Sequence, residues 1–107
     1  MYDLSVGVPF TGCEKYIRGK NITATREDEA IAIATGAWLA GKEPFVYMQN
    51  SGFGNCVDVI TSLIKPYGIK INIHVDNRKT PEHHALMGKI FIKLSELLEY
   101  EPRRSNN

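Results

Sequence analysis

A polar, glycine-rich stretch holds the densest group of side chains that could do chemistry. It reads Asn50-Ser51-Gly52-Phe53-Gly54-Asn55 and directly follows a buried type of strand, residues 44–49. Ser51 stands where a hydrolase nucleophile would, between a strand and a helix, but Gln49 takes a place where that motif needs glycine and no Asp and His pair supports it. Gly52-Phe53-Gly54 has two of the three dinucleotide-binding glycines, and such a pair is usually an ordinary turn. By themselves, these residues identify neither a hydrolase nor a nucleotide site.

Three other candidates are equally unspecific when each is taken alone. Glu27 opens a predicted helix, where the helix dipole favours an acid without any function. His83 and His84 are adjacent, so on a helix they would point about 100° apart and could not chelate one metal together. The segment from Gly7 to Gly12 has the outer glycines of a phosphate loop, but Cys13-Glu14 follows where Lys-Ser/Thr would be needed.

The elements that position these residues alternate between strands and helices. Apolar patterning predicts strands at residues 4–8, 21–24, 44–49 and 69–75, and helices at 13–18, 27–40, 57–64 and a last one reaching 98. Thr25 is predicted to cap the 27–40 helix by accepting the amide three residues on, with Asp28 completing the box. Helical crossovers favour parallel strands, so we expect a single three-layer α/β domain with a mainly parallel sheet. Ligands would then bind at loops 9–12, 25–27, 49–55 and 76–84.

Composition narrows the class of protein. The 107 residues suffice for one domain, residues 1–100, followed by a polar, frayed tail, 101–107. Thirteen Lys and Arg against twelve Asp and Glu leave a net charge of +1, which argues against nucleic acid as a partner. No membrane-spanning or secretory pattern is present, so we expect no membrane partner and a cytoplasmic location. Cys13 and Cys56 are predicted to be thiols that serve as packing residues.

The loops taken together resemble one enzyme family. Thr25-Arg26-Glu27-Asp28-Glu29-Ala30, continued through residues 34–42 and followed by Met48-Gln49-Asn50-Ser51-Gly52-Phe53-Gly54-Asn55, resembles the pyrimidine-binding domain of thiamine-diphosphate decarboxylases that act on sulfopyruvate or phosphonopyruvate. Glu82-His83-His84 before Met87-Gly88-Lys89 is similar to the family's acid, Pro, Gln, His segment. The resemblance spans residues 5–98 and implies a domain that is N-terminally shortened relative to the family.

The resemblance implies a role for each of several residues. Glu27 would be catalytic, because the matching family glutamate hydrogen-bonds a ring nitrogen of the cofactor's aminopyrimidine and favours the imino tautomer. The cofactor would hold the carbanion left when carbon dioxide departs. The implied cofactor-binding residues are Glu27, Gln49, Asn50, Ser51 and Gly52, and the implied substrate-binding residues are Pro9, Asn50 and His84.

The resemblance also implies a divided enzyme. No Gly-Asp-Gly with a downstream Asn occurs, so the ligands of Mg²⁺ and of the diphosphate are expected on a partner, a diphosphate-binding beta subunit, in a hetero-oligomer. The substrate would be a small 2-oxo acid, 3-phosphonopyruvate or 3-sulfopyruvate, with a slight preference for phosphonopyruvate. Two alternatives stay open, namely a non-catalytic interaction or regulatory subunit that retains the fold, and a small nucleotide-binding module.

Overall fold

The sheet that the structure describes has five strands, all of them parallel. A computed structural model describes residues 1–81 and 84–106. The strands are β1 (Leu4–Gly7), β2 (Lys20–Thr23), β3 (Pro44–Gln49), β4 (Asn72–Asn77) and β5 (Arg103–Asn106), in the order β2-β1-β3-β4-β5. The helices are α1 (Glu27–Leu39), α2 (Asn50–Phe53), α3 (Val57–Val59) and α4 (Ala85–Leu98), with a 3-10 turn at Cys13–Tyr16. The predicted three-layer α/β class with a mainly parallel sheet is confirmed.

The two faces of the sheet are covered very differently. Val6, Val46 and Ile73 are aligned across β1, β3 and β4, and they pack in one core with residues of α1, α2 and α4. Phe45 and Tyr47 point to the opposite face and pack with the 3-10 turn. The reason is that all four connections between the parallel strands have the same handedness. The three connections that run towards β5 therefore lie on one face, and the connection that runs from β1 back to β2 lies on the other.

The segment after β3 is helical from its first residue, which corrects the predicted turn at residues 50–55. Helix α2 runs into a 3-10 turn (Gly54–Cys56), then α3, then a π-helical turn (Ile60–Ile64). Phe53 is fully buried, and its ring meets that of Phe91 in α4 edge to face with centroids 5.1 Å apart. This tertiary contact overrides the weak helix propensity of Asn, Ser and Gly.

The second half of the sheet differs from the prediction in two places. Strand β4 starts three residues later than the predicted 69–75 strand and continues to Asn77. The expectation of a frayed 101–107 tail is wrong for Arg103–Asn106, which pair with β4 as β5. The Ser105 hydroxyl also lies 2.7 Å from the Tyr16 hydroxyl and 3.3 Å from Nε2 of His74. The division of the chain at residue 100 stays a prediction.

Both cysteines are buried free thiols, as predicted for packing residues. Burial raises the pKa of Cys56 to about 12, and the nearby charge of Glu27 acts in the same direction. Within the described part of the chain, no helix combines the length and hydrophobicity needed to cross a membrane.

Candidate functional site

The carboxyl ends of the parallel strands bring the predicted site residues to one edge of the sheet. Pro9 follows β1, Glu27 begins the helix after β2, and Asn50 begins the helix after β3. Strand β4 ends at the same edge, because Gln49 is aligned with Asp76 across β3 and β4. In open parallel sheets this edge is where ligands bind. The topology therefore places Glu27 and the residues 49–52 on the same side of the domain.

The side chain of Glu27 lies directly against Gly52. A Cβ atom on Gly52 would overlap Cγ and Cδ of Glu27 and would come within 2.5 Å of its Oε2. Only glycine leaves room for this approach, because any Cβ at position 52 would collide with Glu27. The prediction put Glu27 and Gly52 in one site, and the structure brings them into contact.

A second contact to Glu27 comes from Asn55. The Asn55 side-chain amide donates a hydrogen bond from Nδ2 to Glu27 Oε1 at 3.1 Å. Asn55 is one helical turn beyond Gly52, so the two residues share a face of the helical segment. Asn55 has no predicted role, although its spacing of three from Gly52 would have put the two residues on one face if the segment had been predicted as a helix. Together, Gly52 and Asn55 contact the Glu27 carboxylate from one side.

Three acids open α1, and their neighbours distinguish Glu27 from the other two. Arg26 donates to Asp28 across a 3.0 Å ion pair, and this hydrogen bond lowers the pKa of Asp28. Both the amide and the hydroxyl of Thr25 donate to Glu29 Oε1, at 2.7 and 3.0 Å, which lowers the pKa of Glu29. Asp28 and Glu29 thus take part in local hydrogen bonds around the helix start, whereas Glu27 turns towards α2.

These contacts correct the predicted cap of α1. The N-cap residue is Arg26, which makes no side-chain capping hydrogen bond, and Thr25 donates to Glu29 instead of accepting an amide as predicted. Arg26 has the extended backbone of an N-cap residue (φ −139°, ψ 151°), so the cap position falls at Arg26, one residue after Thr25. The helix still begins at Glu27, as predicted, and its end at Leu39 is one residue short of the prediction.

Asn50 is completely buried and joins two strand ends. Its Nδ2 donates to Asn77 Oδ1 at 2.7 Å and to the Arg78 carbonyl at 2.8 Å. Within the described residues, its Oδ1 is buried without a hydrogen-bond partner. Buried polar atoms are normally paired, so this oxygen is the one part of the Asn50 amide left to accept a hydrogen bond from a ligand. A contact between Asn50 and cofactor or substrate stays a prediction.

The remaining predicted residues have unequal positions. Gln49 is half-buried and immediately precedes α2, while Ser51 and Pro9 are exposed. His84 is half-buried at the start of α4, and its backbone amide donates to the Pro81 carbonyl at 2.8 Å. Glu82 and His83, which carry part of the family resemblance, lie outside the described residues. The ligand roles of Gln49, Ser51, Pro9 and His84 stay predictions.

Across residues 1–81 and 84–106, no cluster of three or more His, Cys, Asp or Glu side chains is arranged to hold a metal ion. The acids at the start of α1 do not form such a cluster, since their carboxylates turn to different partners. The side chains that the structure brings together at the site are the Glu27 carboxylate and the amides of Asn50 and Asn55.

Several known proteins similar to this chain are named sulfopyruvate or phosphonopyruvate decarboxylases. The chain is 48% identical over 90 residues to the sulfopyruvate decarboxylase subunit alpha of Methanocaldococcus jannaschii, which covers 78% of this chain and 53% of that protein. It is 45% identical over 83 residues to the subunit of the same name from Methanothermobacter thermautotrophicus, covering 74% of this chain and 50% of that one. It is 38% identical over 86 residues to the phosphonopyruvate decarboxylase of Streptomyces viridochromogenes, covering 75% and 21%.

The chain spans about half the length of the alpha subunits that it matches. No protein-family model matches it. Identity of 45–48% across about three quarters of this chain nevertheless confirms the family resemblance seen in the motifs. Over this length the chain is similar to alpha subunits of sulfopyruvate decarboxylase and to phosphonopyruvate decarboxylase.

Proposed function

We propose that this chain provides the pyrimidine-binding half of a thiamine-diphosphate-dependent decarboxylase of 3-sulfopyruvate or 3-phosphonopyruvate. The observation that carries the proposal is the Glu27 carboxylate, held against Gly52 and hydrogen-bonded by Asn55 at the carboxyl edge of the sheet. The relatives that share this sequence region are named decarboxylases of these two acids.

The residues present fit the aminopyrimidine part of the cofactor. Asn55 hydrogen-bonds Oε1 of Glu27, and Glu27 is only half-buried. Its carboxylate can therefore still share a proton with a ring nitrogen. The buried, unpartnered Oδ1 of Asn50 is an acceptor for an amino group. When bound, thiamine diphosphate would supply the electron sink for the loss of carbon dioxide.

Each residue of this chain then has a defined task. The Glu27 carboxylate would hydrogen-bond a ring nitrogen of the aminopyrimidine and share a proton with it. Gly52 removes the bulk that would push this carboxylate away. Asn50 fixes the end of β3 to the end of β4, which keeps the loop holding Arg78 and Lys79 beside the site. Pro9 and His84 flank the substrate end.

A second chain completes the site in this proposal. The half-buried Glu27 is what a site shared between two surfaces requires, because a partner would cover the rest of the carboxylate. Two relatives are named as alpha subunits, which agrees with a beta subunit that binds the diphosphate and Mg²⁺. The resulting hetero-oligomer would hold thiamine diphosphate between its two kinds of subunit.

The substrate preference now leans towards 3-sulfopyruvate. The sulfopyruvate relatives are 45–48% identical, against 38% for the phosphonopyruvate relative. Both acids carry an anionic group, and Arg78 and Lys79 lie in the loop after β4, at the mouth of the site. We therefore expect faster decarboxylation of the sulfonate, in contrast to the slight preference for phosphonopyruvate drawn from the motifs.

The test is reconstitution with the beta-subunit candidate, thiamine diphosphate and Mg²⁺, with release of carbon dioxide measured for each acid. Glu27→Gln should lower kcat by at least about a hundredfold while the complex still assembles, because it removes the proton-sharing carboxylate but little volume. Glu29→Gln is the matched control, since it makes the same change in the same helical turn and should leave kcat unaltered. Full turnover by Glu27→Gln would refute the proposal, and a stable complex inactive on both acids would favour the regulatory alternative.

A further inference from the structure

The family motifs do not say which contacts hold the Glu27 carboxylate in place. Two features meet there. Gly52 provides a surface without a side chain, against which Cγ, Cδ and Oε2 of Glu27 lie. Asn55 then hydrogen-bonds the other oxygen, Oε1, at 3.1 Å. One carboxylate oxygen is thus engaged by a donor while the second lies over the backbone of α2.

The geometry points to Asn55 as a positioning residue for Glu27. This inference rests on the proposed function, since it gives the Asn55 amide a task in the same site. Glutamate has three rotatable side-chain bonds, and a half-exposed glutamate populates several rotamers unless contacts select one. Gly52 permits the observed rotamer, but an absent side chain cannot by itself retain it. The Asn55 hydrogen bond is the contact that retains it.

The direction of the hydrogen bond gives Asn55 a second effect. Its Nδ2 is a donor, so it pairs with Glu27 Oε1 as an acceptor and leaves Oε2 as the oxygen available to a ring nitrogen. Aspartate at position 55 would have nearly the same shape but no donor, and it would place a second carboxylate beside the first. Like charges at such a distance repel, which would turn Glu27 away from Gly52. An amide and a carboxylate at position 55 therefore differ sharply, although they fill the same space.

Two variants of Asn55 separate positioning from packing. In the reconstituted complex, Asn55→Ala should lower kcat by about tenfold, which is the loss expected for one hydrogen bond to a charged group. KM for the 2-oxo acid should stay within about twofold, because Asn55 is proposed to contact Glu27 and not the substrate. Asn55→Asp should lower kcat further than Asn55→Ala, although a packing role would make this isosteric change almost silent.

The control removes an equivalent hydrogen bond elsewhere. Ser62 donates from its hydroxyl to Asp58 Oδ1 at 2.9 Å, within the same helical segment and also at an exposed position. Ser62→Ala should leave kcat unchanged. Calorimetric titration with thiamine diphosphate gives a readout independent of turnover, and its Kd should rise severalfold in Asn55→Ala and Asn55→Asp but not in Ser62→Ala.

A double-mutant cycle distinguishes failure of this inference from failure of the proposed function. Once Glu27→Ala has removed the acceptor of the Asn55 hydrogen bond, adding Asn55→Ala should cost less than about twofold in kcat, because the two residues act through one contact. An equal tenfold cost in both backgrounds, or wild-type kcat and Kd in both Asn55 variants, would overturn the positioning role. Wild-type kcat in Glu27→Gln alone would instead overturn the proposed function.

Discussion

Two glycines only two residues apart in the sequence should respond oppositely to alanine. A Cβ on Gly52 would overlap Glu27, whereas a Cβ on Gly54 would meet nothing within 4 Å. The backbone of Gly54 is right-handed helical (φ −60°, ψ −27°), and neither glycine has the left-handed conformation that would strain alanine. The pair therefore isolates the effect of the Glu27 contact from the general effect of alanine in a helical segment.

The magnitudes follow from three terms. Replacing glycine by alanine in a helix stabilises the folded protein by about 0.5–1 kcal/mol. At Gly52 the new methyl group forces Glu27 to another rotamer, which costs about 1 kcal/mol, and breaks its hydrogen bond with Asn55, which costs about 1 kcal/mol more. Gly54→Ala should then raise the free energy of unfolding by about 0.5–1 kcal/mol, and Gly52→Ala should lower it by about 1 kcal/mol.

Urea denaturation, followed by the fluorescence of the single tryptophan, Trp38, measures both changes. The decisive comparison repeats them in a Glu27→Ala background, which removes all three atoms that the methyl group would overlap. There Gly52→Ala should become stabilising by about 0.5–1 kcal/mol, like Gly54→Ala. The reasoning is refuted if Gly52→Ala is already stabilising with Glu27 present, or if removing Glu27 leaves its effect unchanged.

Two further predictions concern the sheet. Asn50→Ala should lower the free energy of unfolding by about 2–4 kcal/mol, because it removes the buried donor that Asn77 Oδ1 and the Arg78 carbonyl share. A loss under about 1 kcal/mol in urea denaturation would contradict this prediction. Burial, with the charge of Arg103 next, lowers the pKa of His74 below its usual 6.5. The unfolded chain therefore binds the proton more readily, so stability should fall as pH decreases from about 6.5, and His74→Gln should flatten that part of a stability profile measured by thermal unfolding.

An element of the fold could be predicted from the sequence where apolar residues marked it, and it was missed where they did not. Strand β3 matched its prediction to the residue, because Pro44–Gln49 is buried along nearly its whole length and has the composition of an interior strand. Strand β5 was missed because Arg103–Asn106 contains no apolar residue. An edge strand pairs through backbone hydrogen bonds with one neighbour, and such pairing leaves no hydrophobic pattern in the sequence.

The site was predictable as a set of loops but not as a set of contacts. Parallel topology alone brings Glu27 and residues 49–52 to one edge of the sheet. The contact with Asn55 was missed because Asn, Ser and Gly are typical of a turn, whereas the segment is helical and packs Phe53 on Phe91 of α4. The burial of Asn50 was also hidden, since its partners Asn77 and Arg78 are more than 25 residues away in the chain.

The hydrogen bond between Tyr16 and Ser105 has a consequence for the order of folding. It joins residues 89 positions apart and spans the aromatic face of the sheet. The apolar cluster of this face lies entirely within the first 47 residues, whereas the helix-covered core also needs Phe91 of α4. The aromatic cluster can therefore pack before α4 is synthesised, and the hydrogen bond to Ser105 is added last, after the closure of a long loop. The two sides of one sheet should thus be completed at different times during synthesis, with the packing of the aromatic side first and its link to β5 last.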